Sequence, residues 1–157
     1  MRRADRQVQD QQEIFDILQR CSIVRIAIRG EKYPYIVPVS FGAELQDGKP
    51  VIYFHCAQQG MKLDLLRADP FVSVEGDILI RIEKLIHGIT ARYESVIGFG
   101  RCRFVEEPAE KIHALNLLVA HYGHDGYPVE SCPGLRHLVV GKIILDEMTG
   151  KKNLPAD

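Results

Sequence analysis

Apolar residues recur along this chain with two periods, and the switches between them mark out the elements. In residues 9–20, QDQQEIFDILQR, the residues Ile14, Phe15, Ile17 and Leu18 fall on one helical face and Asp10 is placed to cap it, which predicts an amphipathic entry helix. The next stretch, SIVRIAIRG, alternates apolar residues with arginine and ends on Gly30, as a half-exposed strand does. YPYIVPVSFG follows. Its Pro34 and Pro38 have no N–H to give a ladder, so this strand belongs at an edge or at a local break. Asp47-Gly48 then supplies a turn ahead of the β-branched and aromatic run VIYFHCA, and residues 34–57 together predict a hairpin.

A second helix is expected from about residue 60 to 68, ending before Asp69-Pro70 because the residue ahead of a proline avoids the α region. FVSVEGDIL alternates again, whereas residues 80–90 fit a strand or a loop equally. In RYESVIGFGRCRFVEE, Gly98 and Gly100 leave one face of a strand without side chains, room for a bend or a close neighbour. Pro108 suits the first turn of a third helix, which carries Ile112, Leu115, Val119 and Tyr122 and ends by Gly123. GHDGYPVESCPG is then loop, HLVVGKIILDEM the closing strand and TGKKNLPAD a polar tail. Six or seven strands joined mostly by short turns, with three helices, predict one mainly β domain over residues 1–157: an antiparallel barrel with peripheral helices at its ends.

Composition alters this picture by exclusion. A length of 157 residues suits one core, and no run of about 18 apolar residues exists to span a bilayer. The opening MRRADRQVQD has no apolar segment after its arginines and does not resemble a signal peptide, so a cytoplasmic protein without a membrane partner is expected. Twenty basic and 21 acidic residues, with no basic block, make nucleic acid an unexpected partner. The cysteines at 21, 56, 102 and 132 form no C-x-x-C and are expected to be reduced, mostly buried thiols. His113, His121, His124 and Cys132 match no zinc spacing, so no metal is expected. Gly98-Phe99-Gly100 lacks the strand-turn-helix setting of a dinucleotide loop.

The stretch YFHCAQQGMKLDLLRADP concentrates the chemistry. A helix opening at Gly60 presents unpaired N–H groups and the positive end of its dipole, and Lys62 adds a full charge, a combination suited to phosphate. Gly60 lets an anion approach the backbone, and Gln58 and Gln59 carry amide donors. The same residues also describe an ordinary strand-to-helix turn with a solvated lysine.

Taken in order, YPYIVPVSFG, IYFHCAQQGMKLDLLRADP, RYESVIGFGRCRFVEEPAEK and MTGKK resemble the FMN-binding split-barrel proteins related to pyridoxamine 5′-phosphate oxidase. Within that family they are most similar to the nitroimidazole-resistance branch, over about residues 10–152. The resemblance implies a dimeric split β-barrel with one FMN, or in its place FAD, at each of two sites built by both chains. It implies that Tyr35, Val37, Pro38, Val39 and Ser40 lie along the flavin ring and that His55 and Cys56 sit beside it. Lys62, with Gln59 and Gly60, is implied at the phosphate, and Ser95 reaches the flavin from the neighbouring subunit.

The sequence departs from the oxidases at Met61, where a second basic residue often precedes the lysine, and it has neither tryptophan nor their arginine-rich C-terminal signature. Vitamin B6 oxidation is therefore not expected. What the resemblance implies instead is reduction of nitroaromatic or similar small electron-poor compounds with electrons from NAD(P)H. His55, with an unperturbed pKa of about 6.5, is then a proton donor or a hydrogen-bonding partner of the flavin, or else a strand histidine with a structural hydrogen bond. Cys56 is either reactive or inert packing. The alternative function is a non-catalytic flavin- or haem-binding sensor or carrier on the same scaffold.

Overall fold

A computed structural model describes residues 3–155. Eight strands and three α-helices follow in the order β1 (Gln7–Val8), α1 (Gln11–Arg20), β2 (Val24–Ile28), β3 (Tyr35–Val39), β4 (Gly42–Gln46) and β5 (Lys49–Cys56). They continue through α2 (Met61–Ala68), β6 (Phe71–Leu85), β7 (Gly88–Phe104) and α3 (Pro108–His121) to β8 (Val139–Asn153). All strand pairs are antiparallel, in the spatial order β3-β2-β6-β7-β8-β5-β4, and β1 adds to β8. Just Ser40 and Phe41 separate β3 from β4, so the two ends of this strand order are continuous in the chain and the sheet wraps into a barrel. The closure is incomplete. Pairing of β4 with β5 stops at Gly42 and Tyr53, and β3 is bonded to β2 alone, which leaves a seam between β3 and the end of β5.

One phase of each strand fills the barrel. Val24, Ile26 and Ile28 of β2 meet Val72 and Val74 of β6, Ile52 and Phe54 of β5, and Leu145 of β8 in a single apolar cluster. Helix α1 closes one end with the Ile14, Phe15, Ile17 and Leu18 face that the periodicity predicts, and the Asp10 carboxylate caps it by accepting from the Gln12 N–H at 2.9 Å. Helix α3 starts on Pro108 and lies outside the barrel. There Ala114 and Leu115 cover Val51, Tyr53 and Val140 in a second cluster.

Between α3 and the sheet lies a buried cation. Lys142 is 5% exposed, and its Nζ donates to Gln46 Oε1 at 2.6 Å and to Glu110 Oε1 at 2.8 Å. That hydrogen bond from Lys142 holds the Glu110 carboxyl below its ordinary pKa, and the Arg103 guanidinium adds to it. The charge is compensated on the spot, the condition under which a buried lysine is tolerated.

Two expectations are corrected and one left open is decided. Residues 34–57 are not one hairpin: β4 and β5 turn at Asp47-Gly48, both at positive φ, while proline-bearing β3 pairs backward with β2 as an edge. Residues 80–90, undecided in sequence, are mostly strand. The polar tail continues β8 through Asn153, since Lys151 pairs with Gln7 and Ser95 and Lys152 forms an ion pair with Glu13.

The two bare positions of β7 lie over β8. A Cβ on Gly100 would stand 2.1 Å from the Ile144 carbonyl oxygen, beside the irregular register where β8 carries one extra residue. Because backbone and not a flexible side chain blocks that space, Gly100→Ala is expected to lower stability by about 2–3 kcal/mol in denaturant titration. A loss under 0.5 kcal/mol would show that this contact does not constrain the barrel.

Candidate functional site

The seam brings the sequence-derived residues onto two lips. On one, Tyr35, Val37 and Val39 point inward against the barrel cluster, while Pro38 and Ser40 lie exposed on β3 and just after it. On the other, Cys56 is buried in the same cluster and the preceding His55 leaves the barrel on its outer side. Residues 57–60 turn the chain into α2, with Gln59 and Gly60 exposed. The bend at Ser40 and Phe41 is held from outside. The Tyr122 hydroxyl, at the end of α3, donates to the Ser22 carbonyl at 2.7 Å and accepts the Phe41 N–H at 3.3 Å. His121 joins it through Nε2, 2.9 Å from the Cys21 carbonyl, and its ring lies tilted against that of Phe41 with the centres 4.3 Å apart.

The start of α2 has the properties of an anion site. Gly60 occupies the cap position at φ 141°, no side chain caps the helix, and nothing lies within 4 Å of where a Cβ would stand. Among the described residues Lys62 forms no ion pair; its Nζ is 5.9 Å from the centre of the Phe54 ring. An uncapped helix start, open space at a glycine and an unpartnered lysine fit a phosphate. Gln58 is committed elsewhere, donating to the Arg136 carbonyl at 3.3 Å.

Lys62 also sets the local electrostatics. Burial lowers the His55 pKa, and the positive charge of Lys62 lowers it further, so the imidazole is neutral at pH 7. Burial raises the Cys56 thiol, against the opposing pull of Lys62 and Arg67, so the thiol stays protonated. The four cysteines are free.

Ser95 is not at the seam of its own chain. It lies on β7 between Asp77 of β6 and Lys151 of β8, with β2 and β6 separating it from β3. Conversely, the sequence reading missed the wall facing His55. There Leu115 and Leu118 of α3, with Tyr127, Cys132 and Leu138 of the following loop, line an open pocket of about 110 Å³. The helical period marked Leu115, but the loop has no period that could have flagged the rest.

An antiparallel barrel open along one seam, with an anion-ready helix start at one lip, defines the split-barrel class. The chain belongs to the pyridoxamine 5′-phosphate oxidase family, whose sequence model matches residues 10–152. Among solved structures, a putative 5-nitroimidazole antibiotic resistance protein from Bacteroides thetaiotaomicron is 28% identical, with a TM-score of 0.79 over 92% of this chain and 85% of that one. A FAD-binding protein from Mesorhizobium loti is 21% identical, TM-score 0.66, over 92% and 96%. A FAD and haem binding protein from Mycobacterium smegmatis is 18% identical, TM-score 0.77, over 97% and 76%. No curated protein matches the chain.

The His55 ring is expected to titrate with an NMR midpoint below 6.5, since both burial and Lys62 disfavour its cation. Its folded pKa lies below the unfolded value, so its contribution to stability is present above about pH 6.5 and declines as the pH falls below it. Lys62→Ala should move the midpoint up, though not fully, because burial is the larger cause. A midpoint at or above 6.5 in the unsubstituted protein contradicts this electrostatic account.

Proposed function

We propose that this chain is a cytoplasmic, homodimeric flavoprotein that holds FMN at the seam and reduces nitroaromatic or similar small electron-poor compounds with electrons from NAD(P)H. The observation that carries it is the unpartnered Lys62 at the uncapped start of α2, on the lip facing the free edge of β3. Family membership and neighbours named for flavin binding support the cofactor, and the likeness to the putative nitroimidazole-resistance protein supports the acceptor class. FMN is preferred over FAD because one cation at one helix start matches a single phosphate. No helix among the described residues is long and apolar enough to cross a membrane.

A bound flavin supplies the redox chemistry, taking two electrons from a nicotinamide and passing them to the acceptor. The protein's part is to bind and orient. Lys62 and the α2 N–H groups hold the phosphate, and β3 offers unpaired backbone groups along its free edge for the polar rim of a ring. His55, neutral at pH 7, acts through its ring N–H as a hydrogen-bond donor and not as an imidazolium.

The position of Ser95 and the sheet's outer face support the homodimer. Phe71, Ile97, Phe99 and Ile36 are all exposed on the outer side of β3, β2, β6 and β7. Ser95 shares that face, so it reaches a seam only across a contact between copies.

Purified protein is expected to take up FMN, with flavin absorption bands. Lys62→Ala should weaken binding by about 10–100-fold, the range set by losing one charge-assisted hydrogen bond of roughly 1.5–3 kcal/mol. Anaerobic addition of NADH should bleach the flavin bands, and a nitroimidazole should restore them. A colourless protein that takes up no flavin in excess FMN overturns the proposal, a Soret band points to the haem carrier, and bound flavin that no nicotinamide reduces points to a sensor.

A further inference from the structure

The ladder between β5 and β8 ends at the Cys56–Val139 pair, yet the two segments stay together beyond it. Past Cys56, the Gln58 side chain donates to the carbonyl of Arg136, just ahead of β8, at 3.3 Å. Residue 136 is thereby fastened to the turn that leads through Gly60 into α2. The segment that carries it is a short 3-10 turn, Pro133–His137. Leu135 and Leu138 hold that segment from within by packing against the cluster under α3, whereas Arg136 and His137 lie exposed.

Arg136 is left without a counter-charge. Among the described residues, every arginine except Arg6 and Arg136 forms an ion pair. Arg6 precedes β1, which joins the sheet at the opposite end of β8. Arg67, the guanidinium of α2 itself, is turned to Asp64 and to the Phe104 ring. Of the arginines, Arg136 alone is therefore both uncommitted and tied to the start of α2.

A phosphate monoester carries about −1.5 to −2 charges at pH 7. Lys62 balances one of them, and the first turn of α2 offers no second cation, since Met61 is apolar and Asp64 acidic. We propose that Arg136 is the second cation of this site, meeting the phosphate from the β8 side while Lys62 and the α2 N–H groups hold it from the other. A guanidinium suits that place: its planar fork meets two phosphate oxygens at once, and it keeps its charge throughout the physiological range. Gln58 is then a positioning residue, because its amide fixes the backbone from which the Arg136 side chain extends. The inference deepens the proposed cofactor site; it rests on that reading for the flavin, though not for the anion.

The test pairs FMN titration, read by flavin fluorescence, with NMR titration of the Gly60, Met61 and Lys62 amides by inorganic phosphate, which reports on the anion site without a flavin. Arg136→Ala is expected to stay folded and to raise the dissociation constants for FMN and for phosphate by a similar factor of about 5–30, solvent at this exposed side chain moderating the loss. Met61→Arg, which puts a guanidinium on the first residue of α2, should recover most of that loss in the Arg136→Ala background. His137→Ala should change neither constant. Amides that ignore phosphate, an Arg136→Ala variant that binds phosphate as the unsubstituted chain does, an equal loss in His137→Ala, or no recovery with Met61→Arg overturns the inference. FMN bound with an affinity indifferent to Arg136 removes this inference and leaves the flavin reading. A phosphate response that depends on Arg136, in a protein that takes up no FMN, upholds the second cation and removes the flavin.

Discussion

A barrel satisfies the backbone groups of its strands by closing on itself, and this one stops one strand pair short. The shortfall is built into the chain. With two residues between β3 and β4, and Phe41 of that pair drawn fully into the core, β3 cannot also follow β5 beyond Tyr53. Pro38 is compatible with this because an edge strand has positions where a missing N–H costs nothing. Everything assigned to the site follows from that gap: an edge with unpaired groups on one lip, and a strand end running into an uncapped helix on the other. Tyr122 and His121 then act at a distance, since they fix the bend from which the gap opens.

The two lysines nearest the argument show how burial and partnership separate structural from functional charge. Lys142 is nearly inaccessible, yet Gln46 and Glu110 meet its donors, so its charge is spent on holding α3 against the sheet. Lys62 is half-buried beside Phe54, with no carboxylate among the described residues to meet it. Its field is consequently felt by the neighbouring titratable groups, depressing His55 and opposing the rise of Cys56. A charge left available at a helix start is what an anion site needs, and a stability role would have supplied a partner.

Much of this was legible in the sequence, where one period governs a segment. The four apolar residues of α1, the Asp47-Gly48 turn, Pro108 at the start of α3 and the edge position of the proline strand each follow from a local rule. The far end of the β6–β7 ribbon did not, because its register passes from Leu79–Tyr93 to Arg81–Arg92 and the extra residue at Ile80 shifts the phase inside a single strand, so that no one period spans it. The tail looked unstructured because Lys151 and Lys152 are polar, although their backbone completes the ladder between β1 and β7. At the site, Gly60 and Lys62 stood out as residue types, while the Cys132 and Leu138 wall of the His55 pocket depended on a loop whose path is set by packing. Ser95 drew attention through resemblance alone; its remoteness from the seam is a fact of topology.

The outer surface of the sheet divides into two halves with different fates. Over β5 and the first part of β8, α3 covers Tyr53, Val140 and Ile144, and the extra residue at Asp146 shifts the phase of β8 so that beyond it Glu147 and Thr149 take that outer side. Over β3, β2, β6 and β7 the helices of this chain are already used elsewhere, yet Ile36, Phe71, Ile97 and Phe99 occupy positions where an exposed strand would carry polar residues. Strand β3 belongs to both regions: Ile36 and Pro38 face the bare half while Val37 and Val39 line the seam. Covering one side of so short a strand restricts the other. In the proposed reading, association and cofactor uptake are therefore coupled, and linkage requires each to favour the other by the same factor.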